Sequence, residues 1–246
     1  MSAAWTTPAN DFLHRQVYRL GEERGLTAQP PGPDRDFLTL TWGPIVYRTT
    51  YAPDSDRLFP LFLRALNDEV RKGLPILDGT PEQRAMLERT YASKVFTSSV
   101  LYADADQDTI REAFRDWKLS LSLPRMNLPV RLRMCLMVDD ACLADFTRVL
   151  DTSASAEDQS DFSGCRIIAV ESLYPQELSD FSQETDSSYP GWTTVTLSSL
   201  MEVIASDDMG DDTYVNPSRQ PILDFSDSAV AVEMVSRSSL LPSANM

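Results

Sequence analysis

Residues 37–51 read FLTLTWGPIVYRTTY and carry the first strand signal in the chain. β-branched and aromatic side chains dominate this run, and such residues favour pleated, half-buried backbone. A Gly-Pro pair interrupts it, and proline cannot donate to a sheet ladder. The run therefore predicts a kinked strand or two short strands, with Tyr47 and Tyr51 on one face and Arg48 on the other.

Helices and further strands follow this run toward the carboxyl end. Apolar residues at three- and four-residue spacing predict helices over about 54–72 and 106–121. Strands are predicted over 94–103, 130–138, 165–170 and 192–195. Two strand–helix units followed by consecutive strands predict an α+β fold. We expect a two-layer sandwich, similar to a ferredoxin-like fold, with a roughly four-stranded, mainly antiparallel sheet and helices on one face.

Composition divides the chain into three parts. Residues 1–36 are predicted to form an N-terminal helix and a Pro-rich linker, and residues 37–225 the α+β domain. Residues 226–246 form a Ser-rich tail that we expect to be loosely held. The N-terminal helix is expected to pack on the domain.

The charge of the chain bears on its partners and location. The net charge is −15, and residues 151–246 hold 17 acidic but only 3 basic residues. Such a balance disfavours nucleic acid and anionic membranes as partners, and no apolar run is long enough for a membrane helix. Three cysteines in apolar segments predict buried free thiols and a cytoplasmic location. The sequence does not fix the oligomeric state.

Motifs for cofactors and metals are missing from the sequence. Neither a dinucleotide-binding glycine pattern nor a phosphate loop occurs, and His14 is the single histidine. We therefore expect no cofactor and no metal. The aspartates at 104–108 are interpreted as a helix cap and those at 207–212 as a solvated turn, with a metal-dependent hydrolase left open as an alternative.

Polar and aromatic residues around the predicted strands form the candidate site. Asp139 follows a buried strand, where its carboxylate could act as an acid or a base. We expect it to pair with Arg48 from a neighbouring strand, and we interpret Arg48, Asp139 and Tyr47 as catalytic. The structural alternatives are an ion pair between Arg48 and Asp139 and a cap on the following turn by the acidic pair. The candidate substrate-binding residues are Trp42, Tyr51, Tyr102, Trp117, Arg131, Arg133 and Trp192.

Several of these segments together resemble a family of filamentous-fungal proteins with no established function. The matching segments are WGPIVYRTTY at 42–51, DTIREAFRDWK at 108–118, RLRMCLMVDDACL at 131–143 and GWTTVTLSSLM at 191–201. Asp104 and Asp106 occupy a region where the family has an acidic position. The resemblance covers most of residues 40–205 and implies a shared fold and a fungal source. It implies no activity and supplies no catalytic residues.

Two functions of different classes fit the sequence. One is a cofactor-independent isomerase or cyclase of fungal specialised metabolism, with a Diels–Alder cyclisation among the candidate reactions. It would fold an apolar small molecule in a pocket, since orientation can lower such barriers by about 7–11 kcal/mol. The alternative is a non-catalytic protein-interaction module with an acidic C-terminal surface.

Overall fold

The computed structural model describes residues 7–18, 32–121, 128–153, 161–172, 190–205 and 222–223. The features predicted at 207–212 and in the tail after 225 lie outside these residues. Within these ranges, no helix combines the length and the apolar character that crossing a membrane would need.

Helices and strands alternate along most of the described chain. The helices are α1 (Pro8–Leu13), α2 (Pro33–Leu40), α3 (Ser55–Gly73), α4 (Pro81–Thr90), α5 (Ser99–Tyr102), α6 (Gln107–Ser120), α7 (Val130–Arg133), α8 (Asp140–Ser153) and α9 (Leu200–Ala205). A π-helical turn covers His14–Tyr18, and 3₁₀ turns cover Leu74–Ile76 and Leu197–Ser199. The strands are β1 (Ile45–Arg48), β2 (Lys94–Phe96), β3 (Met134–Val138), β4 (Arg166–Glu171), β5 (Trp192–Thr196) and β6 (Ile222–Leu223).

The strands form one mixed sheet with the order β2-β1-β3-β4-β5-β6. β1 pairs in parallel with both β2 and β3, whereas β4 pairs antiparallel with both β3 and β5. The two-residue β6 lies parallel to β5 at one edge. The predicted mixture of helices and strands is therefore confirmed. The prediction of four mainly antiparallel strands was wrong, because β1 lies between two parallel neighbours and the sheet has five longer strands.

Helices cover both faces of the sheet. The Tyr47 ring points toward α6, 6.4 Å from Phe114, whereas Arg48 points toward α3, 5.0 Å from the Phe59 ring. α8 packs beside α3 on the second face. Parallel neighbouring strands need crossover connections, and the helices in those connections cover the faces of the sheet. The predicted two-layer, ferredoxin-like arrangement was therefore wrong.

Three predicted strands are shorter than expected because helical turns replace their ends. Residues 37–40 belong to α2, whose start has Pro33 in its first turn together with two acidic residues. β2 ends at Phe96 and is followed by α5, and residues 130–133 form α7 before β3 begins. Apolar content alone does not distinguish a short helical turn from a strand end.

Gly43 separates α2 from β1 and has a conformation that suits glycine. Its φ is +144°, and a Cβ atom there would lie 2.3 Å from the carbonyl oxygen of Ala92. A side chain would therefore collide with the backbone that leads into β2. This close approach allows Trp42 and Tyr91 to form an isolated parallel bridge beside β1 and β2.

The N-terminal segment packs against the core of the domain. The Phe12 ring meets Trp42 edge to face with centroids 5.1 Å apart, and the Ala9 N–H donates to the Asp78 carbonyl at 3.0 Å. Buried apolar side chains from α1 join one continuous cluster with those of the sheet and its helices.

Candidate functional site

The carboxyl ends of β1 and β3 meet at one edge of the sheet. Arg48 at the end of β1 is in register with Val138 at the end of β3. Asp139 therefore follows directly on the strand beside Arg48. In open sheets with parallel strands, ligands bind outside the carboxyl ends of the strands. We call this place, formed by residues 48–51 and 139–140, the carboxyl edge.

Arg48 is the central charged residue of the carboxyl edge and is only 8% exposed. Its Nε donates to the Thr50 carbonyl at 2.8 Å, and its Nη2 donates to Ser55 Oγ at 2.8 Å and to Asp56 Oδ1 at 2.5 Å. The predicted pair with Asp139 is replaced by this pair with Asp56. The turn between β1 and α3 is short, so the first residues of α3 reach the guanidinium first.

Aromatic rings complete the surroundings of the Arg48 guanidinium. Its Cζ lies 4.5 Å from the centroid of Tyr51 and 5.0 Å from that of Phe59. Tyr51 therefore lies on the same side as Arg48, and not on the side of Tyr47 as predicted. The chain leaves the strand after Arg48, so the side chains no longer alternate between the two faces of the sheet. Nη1 of Arg48 makes no hydrogen bond within the described residues, and it is the guanidinium donor available for a ligand.

Two hydroxyl groups and one carboxylate join the strand ends, and a second carboxylate caps the helix that follows. The Thr49 N–H and hydroxyl both donate to the Val138 carbonyl, at 3.0 and 3.2 Å. The Thr50 hydroxyl donates to Asp140 Oδ1. Asp139 Oδ1 accepts the Cys142 N–H at 2.9 Å and so caps the start of α8. The second carboxylate oxygen of Asp139 makes no hydrogen bond to the described part of the chain.

Tyr47 lies on the opposite face of the sheet from Arg48. Its ring stacks on Phe96 at 4.7 Å and meets Tyr102 edge to face at 5.2 Å. It is fully buried, and its hydroxyl has no hydrogen-bond partner among the residues that the structure describes. Burial raises the pKa of Tyr47 far above its usual range, and the neighbouring Cys135 acts in the same direction. Tyr47 therefore cannot contact the same small molecule as Arg48.

No family model, curated protein or solved structure matches the chain. The resemblance to filamentous-fungal proteins stays a prediction. Among the residues that the structure describes, no three His, Cys, Asp or Glu side chains are grouped so that they could hold a metal ion.

The predicted aromatic substrate-binding residues are spread over the fold. Trp42 is fully buried, and its Nε1 donates to the Leu87 carbonyl at 2.8 Å. Tyr102 and Trp117 are half-buried on the face that α6 covers. Trp192 is half-buried at the start of β5, opposite Val170. Apart from Tyr51, the predicted aromatic walls are therefore not at the carboxyl edge.

The two predicted substrate-binding arginines lie at the amino end of β3. Arg131 is 2% exposed and donates to three carbonyls, of Thr41 at 2.7 Å, Gln16 at 2.5 Å and Leu38 at 2.8 Å. Burial lowers the pKa of Arg131, yet a guanidinium stays charged at neutral pH. Arg133 is half-buried at the end of α7. Arg131 ties separate segments together, which is a structural role.

Sequence reasoning missed Thr50 at the carboxyl edge, and it missed Ser55 and Asp56 beside this edge as partners of Arg48. Thr50 and Asp140 bond across the two strand ends, and Ser55 and Asp56 hold Arg48. A signal was present, since small polar and acidic residues right after a strand often begin the next helix. The spacing of such residues from Arg48 could have indicated Asp56 as its partner.

Proposed function

We propose that the chain is a cofactor-independent isomerase or cyclase that binds a small organic molecule at the carboxyl edge. The observation that supports this most is the juxtaposition of Arg48 and Asp139 on adjacent parallel strand ends. The buried guanidinium has one donor without a hydrogen bond among the described residues. The neighbouring carboxylate likewise has one oxygen without a partner there.

These two atoms suit a carbonyl-containing substrate. Arg48 Nη1 would donate to the carbonyl oxygen and stabilise negative charge that develops there. In a substrate whose carbon–carbon double bond is β,γ to the carbonyl, the Asp139 carboxylate would take a proton from the carbon next to the carbonyl and return it to the far carbon of that double bond. A double bond then changes position, with no net gain or loss of atoms or electrons. In a cyclisation of the Diels–Alder kind, the same donor would polarise the carbonyl, and Tyr51 would supply an apolar wall.

The proposal extends to the setting of the reaction. The resemblance described above supports a fungal source, and a role in specialised metabolism is proposed together with the isomerase or cyclase activity. Three buried free cysteines favour a reducing compartment, which is the support for a cytoplasmic location.

Isomerisation and cyclisation both conserve molecular mass, which gives a direct test. The chain is incubated with a filamentous-fungal metabolite extract, and liquid chromatography with mass detection follows compounds that change retention time at constant mass. We expect such a conversion with the unsubstituted chain. Asp139→Asn should slow it by about 100-fold, because asparagine keeps the helix cap but cannot take a proton.

Asp116→Asn is the matched control, since Asp116 is exposed on α6 and far along the chain from the carboxyl edge. It should convert the extract at the original rate. If the chain produces no mass-conserving conversion, or if both aspartate variants react equally fast, the enzymatic proposal is rejected.

A protein-interaction module is the second candidate, and one described surface favours it. Val100 and Leu101 in α5 are 92% and 65% exposed, directly after the end strand β2. An end strand has unpaired backbone groups that can bind a further strand. A second copy of the chain is a simple partner for such an edge.

Sedimentation would then show a dimer that the double variant Val100→Ser, Leu101→Ser converts to monomer. A monomeric unsubstituted chain would contradict this candidate. Most of residues 151–246, which carry the acidic C-terminal surface predicted for it, lie outside the described residues.

A further inference from the structure

The ammonium group of Lys94 lies within a group of aromatic rings. Its Nζ is 5.2 Å from the centroid of Phe96, 5.8 Å from that of Phe37 and 5.8 Å from that of Trp117. Asp34 forms an ion pair with the same ammonium. We call Asp34, Phe37, Phe96 and Trp117 the ammonium cage.

Three separate elements build the cage. Asp34 and Phe37 are one helical turn apart on α2, and Phe96 is two residues from Lys94 on the same side of β2. Trp117 comes from α6, and its Nε1 donates to Asp34 Oδ2 at 3.2 Å. The indole therefore holds the carboxylate in place as well as forming a wall. Such a bond fixes the carboxylate whether or not a cation is present.

The composition of the cage is that of a site for organic cations. An ammonium within about 6 Å of several ring centroids is attracted by the negative faces of the rings, and methylated ammonium ligands are recognised in this way. A simple ion pair between Lys94 and Asp34 needs no aromatic walls. The net charge of −15 further favours the approach of cations.

The present occupant can leave the cage without a change in the backbone. Lys94 is at the start of the end strand β2, and its side chain is 19% exposed, beside an Asp34 side chain that is 36% exposed. A lysine stem is flexible and has four carbons, so its head group can move into solvent. The walls belong to other residues and stay where they are.

We propose that the ammonium cage is a binding site for a small organic ammonium ion, and that Lys94 occupies it when no ligand is bound. This site lies apart from the carboxyl edge and does not depend on the enzymatic proposal. Because Lys94 is tethered, it competes at an effective concentration in the millimolar range or above. Removal of its head group should therefore tighten ligand binding by about tenfold or more.

Tetramethylammonium chloride is the probe, and the indole N–H signal of Trp117 in a nitrogen–proton correlation spectrum is the readout. The chain has four tryptophans, and Trp117→Phe assigns the signal. We expect a saturable shift in the unsubstituted chain and saturation at a lower concentration in Lys94→Ala. Adding Asp34→Asn to Lys94→Ala should weaken binding by about tenfold, because the carboxylate no longer opposes the cation.

Two controls separate a cation site from general solvent effects. Neopentyl alcohol has nearly the shape of tetramethylammonium but no charge, and sodium chloride supplies equal ionic strength. Neither should give a saturable shift. Lys72→Ala removes a lysine that pairs with Glu69, away from the cage, and should bind the probe as the unsubstituted chain does.

Three results would overturn the proposal. One is the lack of a saturable shift in a folded Lys94→Ala chain, and another is an equal response to neopentyl alcohol. The third is binding by Lys94→Ala together with no binding by the unsubstituted chain, since the cage would then only pack Lys94. If Lys94→Ala does not fold, Lys94→Met keeps the aliphatic stem and serves in its place, and the titration of the unsubstituted chain needs no variant.

Discussion

Replacement of Arg131 by methionine should cost about 3–5 kcal/mol of the free energy of unfolding. Methionine fills much of the same space but leaves the carbonyls of Gln16, Leu38 and Thr41 without their donor. A buried polar group that is left without its hydrogen bond costs about 1–3 kcal/mol, so three unpaired carbonyls together cost about 3–9 kcal/mol. We expect a value in the lower part of this range, about 3–5 kcal/mol, because part of the cost of burying the guanidinium is recovered when methionine replaces it.

Urea unfolding followed by circular dichroism measures this effect. With a denaturant slope of about 2–3 kcal/mol per molar urea, the midpoint should fall by about 1–2 M. Arg131→Lys should cost less, since lysine keeps a charge but cannot reach three separate carbonyls with a fixed fork. Arg57→Met is the control, because Arg57 is exposed on α3 and should change the free energy by less than about 0.5 kcal/mol.

A loss below about 1 kcal/mol for Arg131→Met would refute this reasoning. It would mean that the three carbonyls find other donors or water once the guanidinium is gone. Hydrogen exchange gives a second measurement. If the hydrogen bond from Arg131 holds the segment around Gln16 to the domain, the backbone amides of this segment should exchange faster in Arg131→Met.

The remaining predictions concern backbone fit, thiol reactivity and alkaline pH. Gly43→Ala should cost more than about 2 kcal/mol in urea unfolding, because its Cβ would meet the Ala92 carbonyl oxygen; a neutral effect would show that the turn can adjust. All three cysteines are buried, and burial raises their pKa values, so a disulfide reagent at pH 8 should modify them only after unfolding; rapid reaction of the native chain would contradict this. Burial raises the pKa of Tyr91 to about 12, so the free energy of unfolding should be unaffected below about pH 10 and should decrease as the pH rises from there toward 12. Tyr91→Phe should reduce this decrease, and an unchanged pH profile would exclude Tyr91 as its source.

Local structure was predictable from the sequence where one pattern dominated. The helix predicted over 54–72 is α3 at 55–73, and the helix predicted over 106–121 is α6 at 107–120. Both have an apolar stripe at helical spacing and a cap or acidic first turn. The strand predicted over 165–170 is β4 at 166–171. Such helices and strands can be predicted from the pattern of their own residues, without information about the elements they pack against.

Strand direction and side-chain partners could not be predicted in the same way. Whether β1 runs parallel to β3 depends on the path of the helices between them, which local patterns do not encode. Arg131 illustrates the consequence for the site. Two arginines alternating with apolar residues suggested a ligand-binding strand, but a helical turn at 130–133 directs Arg131 to backbone carbonyls of distant segments. Arg48 differs, because an acidic partner was anticipated and only the identity of that partner was wrong.

The position of β1 in the sheet affects the order in which the chain can fold. Val46 pairs with Val95 on one side and with Leu136 on the other, so β1 gains these two partners only after about 50 and then about 90 residues of later chain. During synthesis, β1 leaves the ribosome long before β3, and one of its edges stays unpaired until then. Pairings over such long distances close slowly and expose strand edges for longer. We therefore expect slow folding, with aggregation as the main competing process while β3 is still missing.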